Sequence, residues 1–415
     1  MEKRLFMDQK FFRRNGIFFS PVRSNGFYLH DRDGHEVLDF SNNFGSISIG
    51  HLPLTIEKKI ISQIHHGFLS QSGRFYNEGL NRLSDKLCRM AGFVKEEKGY
   101  GNLITTGDVL FYNSVTEANE CAVKLARKRY NILCDRVYNE VISFKNSNHG
   151  TSITMLSASK NNKNSIFFSP LSNGFKLAEM NNIKSVENLI CEHTCAIIVE
   201  TIQYDNGIVA CDFEFLKALK ELCEKHEIVL ILDETRCGCG RSGTFFAYEK
   251  YGIKPDIVTI ANGLANGLPL SACIANNEIL KFLDADDDVF SFNGNSLLCN
   301  IANSVIEEIV DKEILQHVDE IGKLFTIYLE KITKDHDDVI SSISNVGLAI
   351  NVKLRDDINH NKFANILLSN GLACEVVSDN NILFFPPLNI DVGDIKKAIE
   401  IIDISLDEIS IIERY

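Results

Sequence analysis

Three short stretches of the sequence join residue types that can do chemistry to the punctuation of strand and helix ends. In VLILDE, residues 229–234, a continuous apolar run stops at two carboxylates, Asp233 and Glu234. A carboxylate at the end of a buried strand is costly without a partner. It can pair with a protonated ring nitrogen, with an arginine or with local N–H donors. The glycine-rich TRCGCGRSG that follows supplies Arg236 and Arg241 as candidates for a purely structural ion pair. In VLFYNSVTEANE, residues 109–120, an apolar run meets a helical pattern, with Thr116 and Glu117 just inside its start. Backbone N–H groups at such a helix start, helped by the positive end of the helix dipole, can hold a phosphate. An ordinary capped helix reads the same way. In DIVTIANGLANG, residues 256–267, a strand-like run stops at Asn262, and Gly263 and Gly267 allow a ligand close to the backbone.

The surrounding elements explain how these stretches could meet. VISFKN (141–146), AIIVE (196–200), VLILDE, DIVTIA (256–261) and LSACIA (270–275) are β-branched and almost wholly apolar. Strands covered on both faces of a largely parallel sheet read this way. Helical runs alternate with them. TEANECAVKLARKRY (116–130) repeats Ala118, Cys121, Ala122, Leu125 and Ala126 at helical spacing, and FEFLKALKELCEKH (213–226) is amphipathic. Ligands in such α/β sheets bind at the carboxyl ends of the strands, where the three stretches fall. GFYLHDRDGHEVLDF (26–40) reads as a hairpin, and 53–92 is helical in pattern. After about residue 300, one long helical region, the short strands LAINVKL and NILFFPP, and a last helix, IKKAIEIIDISLDEI, form an α+β lobe. The expected organisation is an N-terminal hairpin arm that belongs to the small lobe (1–52), a large α/β domain (53–300) and a C-terminal α+β lobe (301–415).

A chain of 415 residues with a net charge of −13 is a poor match for nucleic acid or an anionic membrane, which need clustered Lys and Arg. No secretory signal and no transmembrane helix are expected, since no apolar stretch reaches the length of either. The 12 cysteines are scattered through apolar runs, so reduced thiols in the cytoplasm are expected. Cys237 and Cys239 read as packing residues, His149 as structural, DADDD (284–288) as a solvated loop and KNNKNS (160–165) as another; no metal site is expected.

Together these segments resemble a class III pyridoxal phosphate (PLP)-dependent aminotransferase of the acetylornithine/ornithine type, from about Gly26 to the C-terminus. The resemblance is carried by YLHDRDGHEVLDF, GRFYNEG, LFYNSVTEANECAVKLARK, VISFKNSNHGTS, IIVETIQ, the long block from VLILDE through TIANGL, FSFNGNSL and FFPPL, in that order. It implies a PLP-dependent transferase fold (fold type I), with a mainly parallel seven-stranded sheet domain and a smaller α+β lobe. It implies PLP as cofactor, a small amino acid and a 2-oxo acid as substrates, and a dimer whose sites lie at the subunit interface. By the same resemblance Asp233 would face the ring nitrogen and Ser114, Val115 and Thr116 the phosphate. Asn148 stands at the ring-stacking position and Arg236 at a glutamine position. Glu200 matches a glutamate that gates a substrate-binding arginine, and Ser291 a hydroxyl lent to the other subunit's phosphate site.

The departures from the family pattern concern the ligand-facing groups. Asn262 occupies the position of the Schiff-base lysine, Val115 that of a phosphate-loop glycine, Thr151 and Leu383 those of two arginines. An amide nitrogen is neither a useful nucleophile nor a base at neutral pH. Several losses together favour a pseudoenzyme or a non-catalytic subunit, as a homodimer or paired with a lysine-bearing paralogue. The alternative is a working transaminase, its lysine absent by engineering or by an unusual mechanism.

Overall fold

The computed structural model describes residues 19–66, 77–97, 103–135, 138–159, 165–284, 286–287 and 291–414. A seven-stranded sheet runs through its centre. Its strands are β1 (Gly107–Tyr112), β2 (Glu140–Phe144), β3 (Phe175–Ala178), β4 (Thr194–Glu200), β5 (Val229–Asp233), β6 (Ile257–Ile260) and β7 (Ser271–Asn276), in the spatial order β1-β7-β6-β5-β4-β2-β3. Neighbours from β6 to β3 are parallel, and β7 runs antiparallel to both β6 and β1.

Side chains of a strand alternate between its faces, and here each face meets a different core. Val229 and Ile231 of β5 join the cluster that holds Ala118, Cys121, Ala122 and Leu125, whereas Leu230 and Leu232 join the larger cluster on the other side. Each fully buried Leu or Ile contributes about 1.5–3 kcal/mol relative to exposure, so both faces hold the strand ends in place.

Among the helices are α1 (Leu54–His66), α2 (Glu78–Met90), α3 (Val115–Cys134) and α4 (Phe213–His226). The long C-terminal helical region is two helices, α5 (Ser296–Asp311) and α6 (Ile314–Thr333), broken where Glu313 turns left-handed at φ 54°. The final helix, α7, spans Val392–Arg414. Four antiparallel strands, Ile340–Val346, Ala349–Leu354, Asn381–Phe384 and Glu375–Val377, form the C-terminal sheet. In the N-terminal hairpin, Tyr28–His30 pairs with Glu36–Asp39, and Glu36–Asp39 also pairs in parallel with Leu372–Ala373. Among the described residues no helix is long and apolar enough to cross a membrane.

Candidate active site

The carboxyl ends of β4, β5 and β6 bring three polar residues abreast. Asp233 is in register with Glu200 on one side and with Thr259 on the other, and all three are buried. Asp233 is met by donors from several directions. Its Oδ2 accepts from His149 Nδ1 and from Asn119 Nδ2, each at 2.7 Å. Its Oδ1 accepts from the Thr235 N–H at 3.0 Å and the Thr235 hydroxyl at 2.5 Å. Asn119 is itself fixed by Thr259, whose hydroxyl donates to Asn119 Oδ1 at 2.7 Å. Burial raises the affinity of Asp233 for a proton, but His149 and Thr235 outweigh it and hold the carboxyl below its ordinary range.

Asp39, on the N-terminal hairpin, obeys the same balance: burial opposes ionisation, but His51 at 3.0 Å, Ser41 and Asn42 prevail. A depressed folded-state pKa stabilises fully above the unfolded value of about 4 and is lost as pH falls through the folded one. Thermal unfolding scans are therefore expected to show Tm falling steeply below about pH 4. A Tm that stays level there would remove both carboxylates from this account.

The ion pair between Asp233 or Glu234 and Arg236 or Arg241 does not form. Successive residues of a strand point to opposite faces, and local donors reach Glu234 first. It accepts from the Thr201 hydroxyl at 2.6 Å and from the N–H groups of Ala247 and Tyr248 at 2.8 and 3.1 Å. Arg241 donates to the carbonyls of Leu348 and Pro386, and Arg236 pairs with Asp205 at 2.5 Å. Glu200 accepts from the Asn148 N–H at 2.9 Å, while its Oε1 is buried with no partner. Burial pushes the Glu200 carboxyl well above the usual carboxylate range, against the pull of Arg236.

Helix α3 starts at Val115, and its cap is Ser114. The Ser114 side chain accepts from the Glu117 N–H at 3.3 Å, and the Glu117 carboxylate accepts from the N–H groups of Ser114 and Asn113 at 3.1 and 2.8 Å. Helix geometry gives the N–H groups of Val115 and Thr116 no partner inside the helix. The 148–151 loop leans on this first turn: the Thr151 N–H donates to Thr116 Oγ1 at 3.1 Å. Gly150 lies so close that a Cβ there would sit 2.5 Å from Thr116 Oγ1, at a φ of 131° that also suits glycine.

A cavity of about 760 Å³ opens above these elements, with Val115, Thr116, Asn148, Thr151, Arg236 and Asn262 in its wall. Asn262 is left-handed at φ 50°, a conformation asparagine tolerates better than most residues. Among the described residues that line the cavity there is no lysine. Ser114, Asp233, Glu200 and Ser291 are not part of the wall. Ser291 is exposed, and its carbonyl accepts from Asn113 Nδ2 at 3.0 Å. Leu383 is fully buried beside Tyr204 and Phe385. Residues 73–76 of GRFYNEG and Phe290 of FSFNGNSL lie outside the described residues; Asn77 caps α2 by accepting from the Leu80 N–H at 3.1 Å.

Sequence reasoning passed over Asn119, Thr235, Thr259 and Asp205. Asn119 did leave a signal, being a polar residue within the apolar pattern of α3 that includes Ala118, Cys121 and Ala122.

Over residues 12–406 the sequence matches the family described as Aminotransferase class-III. It is 37% identical, over 392 residues, to the mitochondrial acetylornithine aminotransferase of Debaryomyces hansenii, covering 94% of this chain and 82% of that protein. It is 33% identical, over 388 residues, to the acetylornithine aminotransferase of Methanocaldococcus jannaschii, covering 94% and 92%. The fold superposes on the ornithine aminotransferase of Toxoplasma gondii ME49 with a TM-score of 0.89 at 24% identity, covering 99% of this chain and 96% of that one. PLP is the cofactor that the family implies. By its near full-length match, its close relatives and its mainly parallel seven-stranded sheet, the chain belongs to the class III aminotransferases and has the PLP-dependent transferase fold, fold type I.

Proposed function

We propose that this chain is a pseudoenzyme of the class III aminotransferases, which keeps the family's cavity without its transamination chemistry. The observation that carries this reading is Asn262 in the cavity wall, with no lysine among the described residues around it. When bound, PLP supplies an electron sink for a carbanion, and its covalent attachment needs an amine. The residues present do not fit a covalently held PLP. Asn262 offers an amide. Asp233 already accepts four hydrogen bonds of 3.0 Å or less, which fills its acceptor positions, and it is 1% exposed. Asn148 offers no aromatic face, and Val115 puts a branched side chain beside the free N–H groups of α3.

What remains suits non-covalent binding of a small anion, an amino acid or a 2-oxo acid in keeping with the family. The same reading includes a dimer, with a second copy or with a lysine-bearing paralogue whose phosphate site Ser291 would complete, and a cytoplasmic location.

The test is incubation of the purified protein with PLP, reduction with borohydride and intact-mass analysis. No mass increment and no imine absorbance band are expected. A reducible adduct, with turnover of an ornithine-like donor, would instead support a working transaminase, the reading favoured by the names of the full-length relatives. Co-purification with a lysine-bearing paralogue separates the two kinds of dimer.

A further inference from the structure

Arg236 faces the cavity from the loop that follows β5. Its side chain is 10% exposed, and its guanidinium lies over the Tyr204 ring at 5.1 Å and the Phe44 ring at 5.6 Å from the centroids. A guanidinium carries five N–H donors. Asp205 Oδ1 engages Nη1, and none of the Arg236 nitrogens is among the buried atoms without a partner. The guanidinium lines the cavity, and Asp205 engages only one of its nitrogens. Arg241 differs: it is committed to the Leu348 and Pro386 carbonyls, and its Nη2 is sealed in. Two aromatic rings restrict the guanidinium plane of Arg236 and leave an edge accessible, a geometry suited to a planar, bidentate acceptor such as a carboxylate.

The surroundings leave this task to Arg236. The strand bearing Leu383 brings an apolar side chain that is fully buried in the cluster around Tyr204, so it contributes no cation. Arg236 and His360 are the basic side chains among the described lining residues. Glu200, behind Asn148, is pushed toward its neutral form by burial and competes weakly for the guanidinium. Among the described residues Asp205 is the carboxylate bonded to it, and its side chain is 38% exposed. Exchange of a half-exposed carboxylate for another carboxylate keeps the charge pair and strands little buried polarity.

We infer that Arg236 is the residue that grips a ligand in this cavity: it takes the carboxylate of a small amino acid or 2-oxo acid, and Asp205 occupies that place when no ligand is bound. This rests on the anion-binding part of the proposed function and is independent of whether an amine is present at position 262.

Calorimetry on the full-length protein, with 2-oxoglutarate and ornithine as probes, tests it. At least one probe is expected to bind. Arg236→Gln is expected to weaken that binding by about tenfold or more. Asp205→Asn, which frees the guanidinium, is expected to tighten it several-fold. The second variant keeps the test decisive where Arg236→Gln fails to fold. Failure of both probes to bind the parent protein, unchanged binding by Arg236→Gln, or weaker binding by Asp205→Asn would each overturn the inference. Reduction with borohydride reads the pseudoenzyme proposal separately, so a chain without an adduct can still bind a carboxylate elsewhere than at Arg236.

Discussion

Replacement of Asp233 by alanine is expected to destabilise the protein by about 3–5 kcal/mol, with or without PLP in solution. The carboxylate receives two donors on each oxygen at 3.0 Å or less, all from residues that are themselves buried. Alanine leaves the His149 ring and the Thr235 N–H without an acceptor, far from water, and the Asn119 amide with the His149 carbonyl alone. The opposite ring nitrogen of His149, Nε2, already lacks a partner, so the ring cannot recover the loss by a change of tautomer. Against a total stability of about 5–15 kcal/mol, such a loss is a large fraction of the whole. Chemical denaturation of the parent and of Asp233→Ala measures it. An alanine variant within about 1 kcal/mol of the parent would show that the network adds little. The expected result gives Asp233 a structural task, which explains how it can outlast a lysine that only chemistry requires.

The second large effect is an absence. Asn262→Lys is expected to give no transaminase turnover above a blank, with PLP, an ornithine-like donor and 2-oxoglutarate supplied. The backbone accepts the change at modest cost, since φ 50° penalises most L residues by about 1–2 kcal/mol. The amine would return to a cavity whose other groups no longer match it. Val115 stands at the first turn of α3, Asn148 presents an amide, and Leu383 is locked in an apolar cluster. Groups that act as a unit in catalysis are strongly non-additive, so restoring one member of a broken set recovers little. An assay coupled to glutamate formation reads the outcome. Steady turnover by Asn262→Lys would mean that the cavity was otherwise intact and that the lysine alone had been lost.

The central sheet was largely legible because its strands are covered on both faces and read as unbroken apolar runs. Phe175–Ala178 was not, since Lys176 interrupts its short pattern. The structure puts that strand at the sheet edge, where Lys176 pairs with Glu140 at 2.5 Å. A charged side chain on an edge strand blunts it against further pairing, but it also hides the strand from a reading by periodicity. The strand-end carboxylates were visible as candidates; their partners were not. His149 lies 84 positions from Asp233 and Asn119 lies 114 positions away, distances over which no local pattern speaks. The same limit explains why an arginine close in sequence was a natural partner for Asp233 or Glu234, whereas the fold brings histidine and asparagine to one and backbone N–H groups to the other. The start of α3 was legible in sequence, and the reciprocal bonds of Glu117 fix its cap at Ser114.

The parallel pairing of Glu36–Asp39 with Leu372–Ala373 bears on how the molecule is made. Asn43, Phe44 and Ser46 from the start of the chain share the cavity wall with Val376, Val377 and Ser378 from near its end. Asn42 reaches the Phe385 carbonyl across 343 positions, at 2.7 Å. On the ribosome, the central sheet can gather while synthesis continues, but residues 36–46 must wait for nearly the whole chain before they find their partners. The cavity is thus completed late, and a nascent chain cut short before residue 372 carries all seven strands of the central sheet but not Val376, Val377 and Ser378 of the cavity wall.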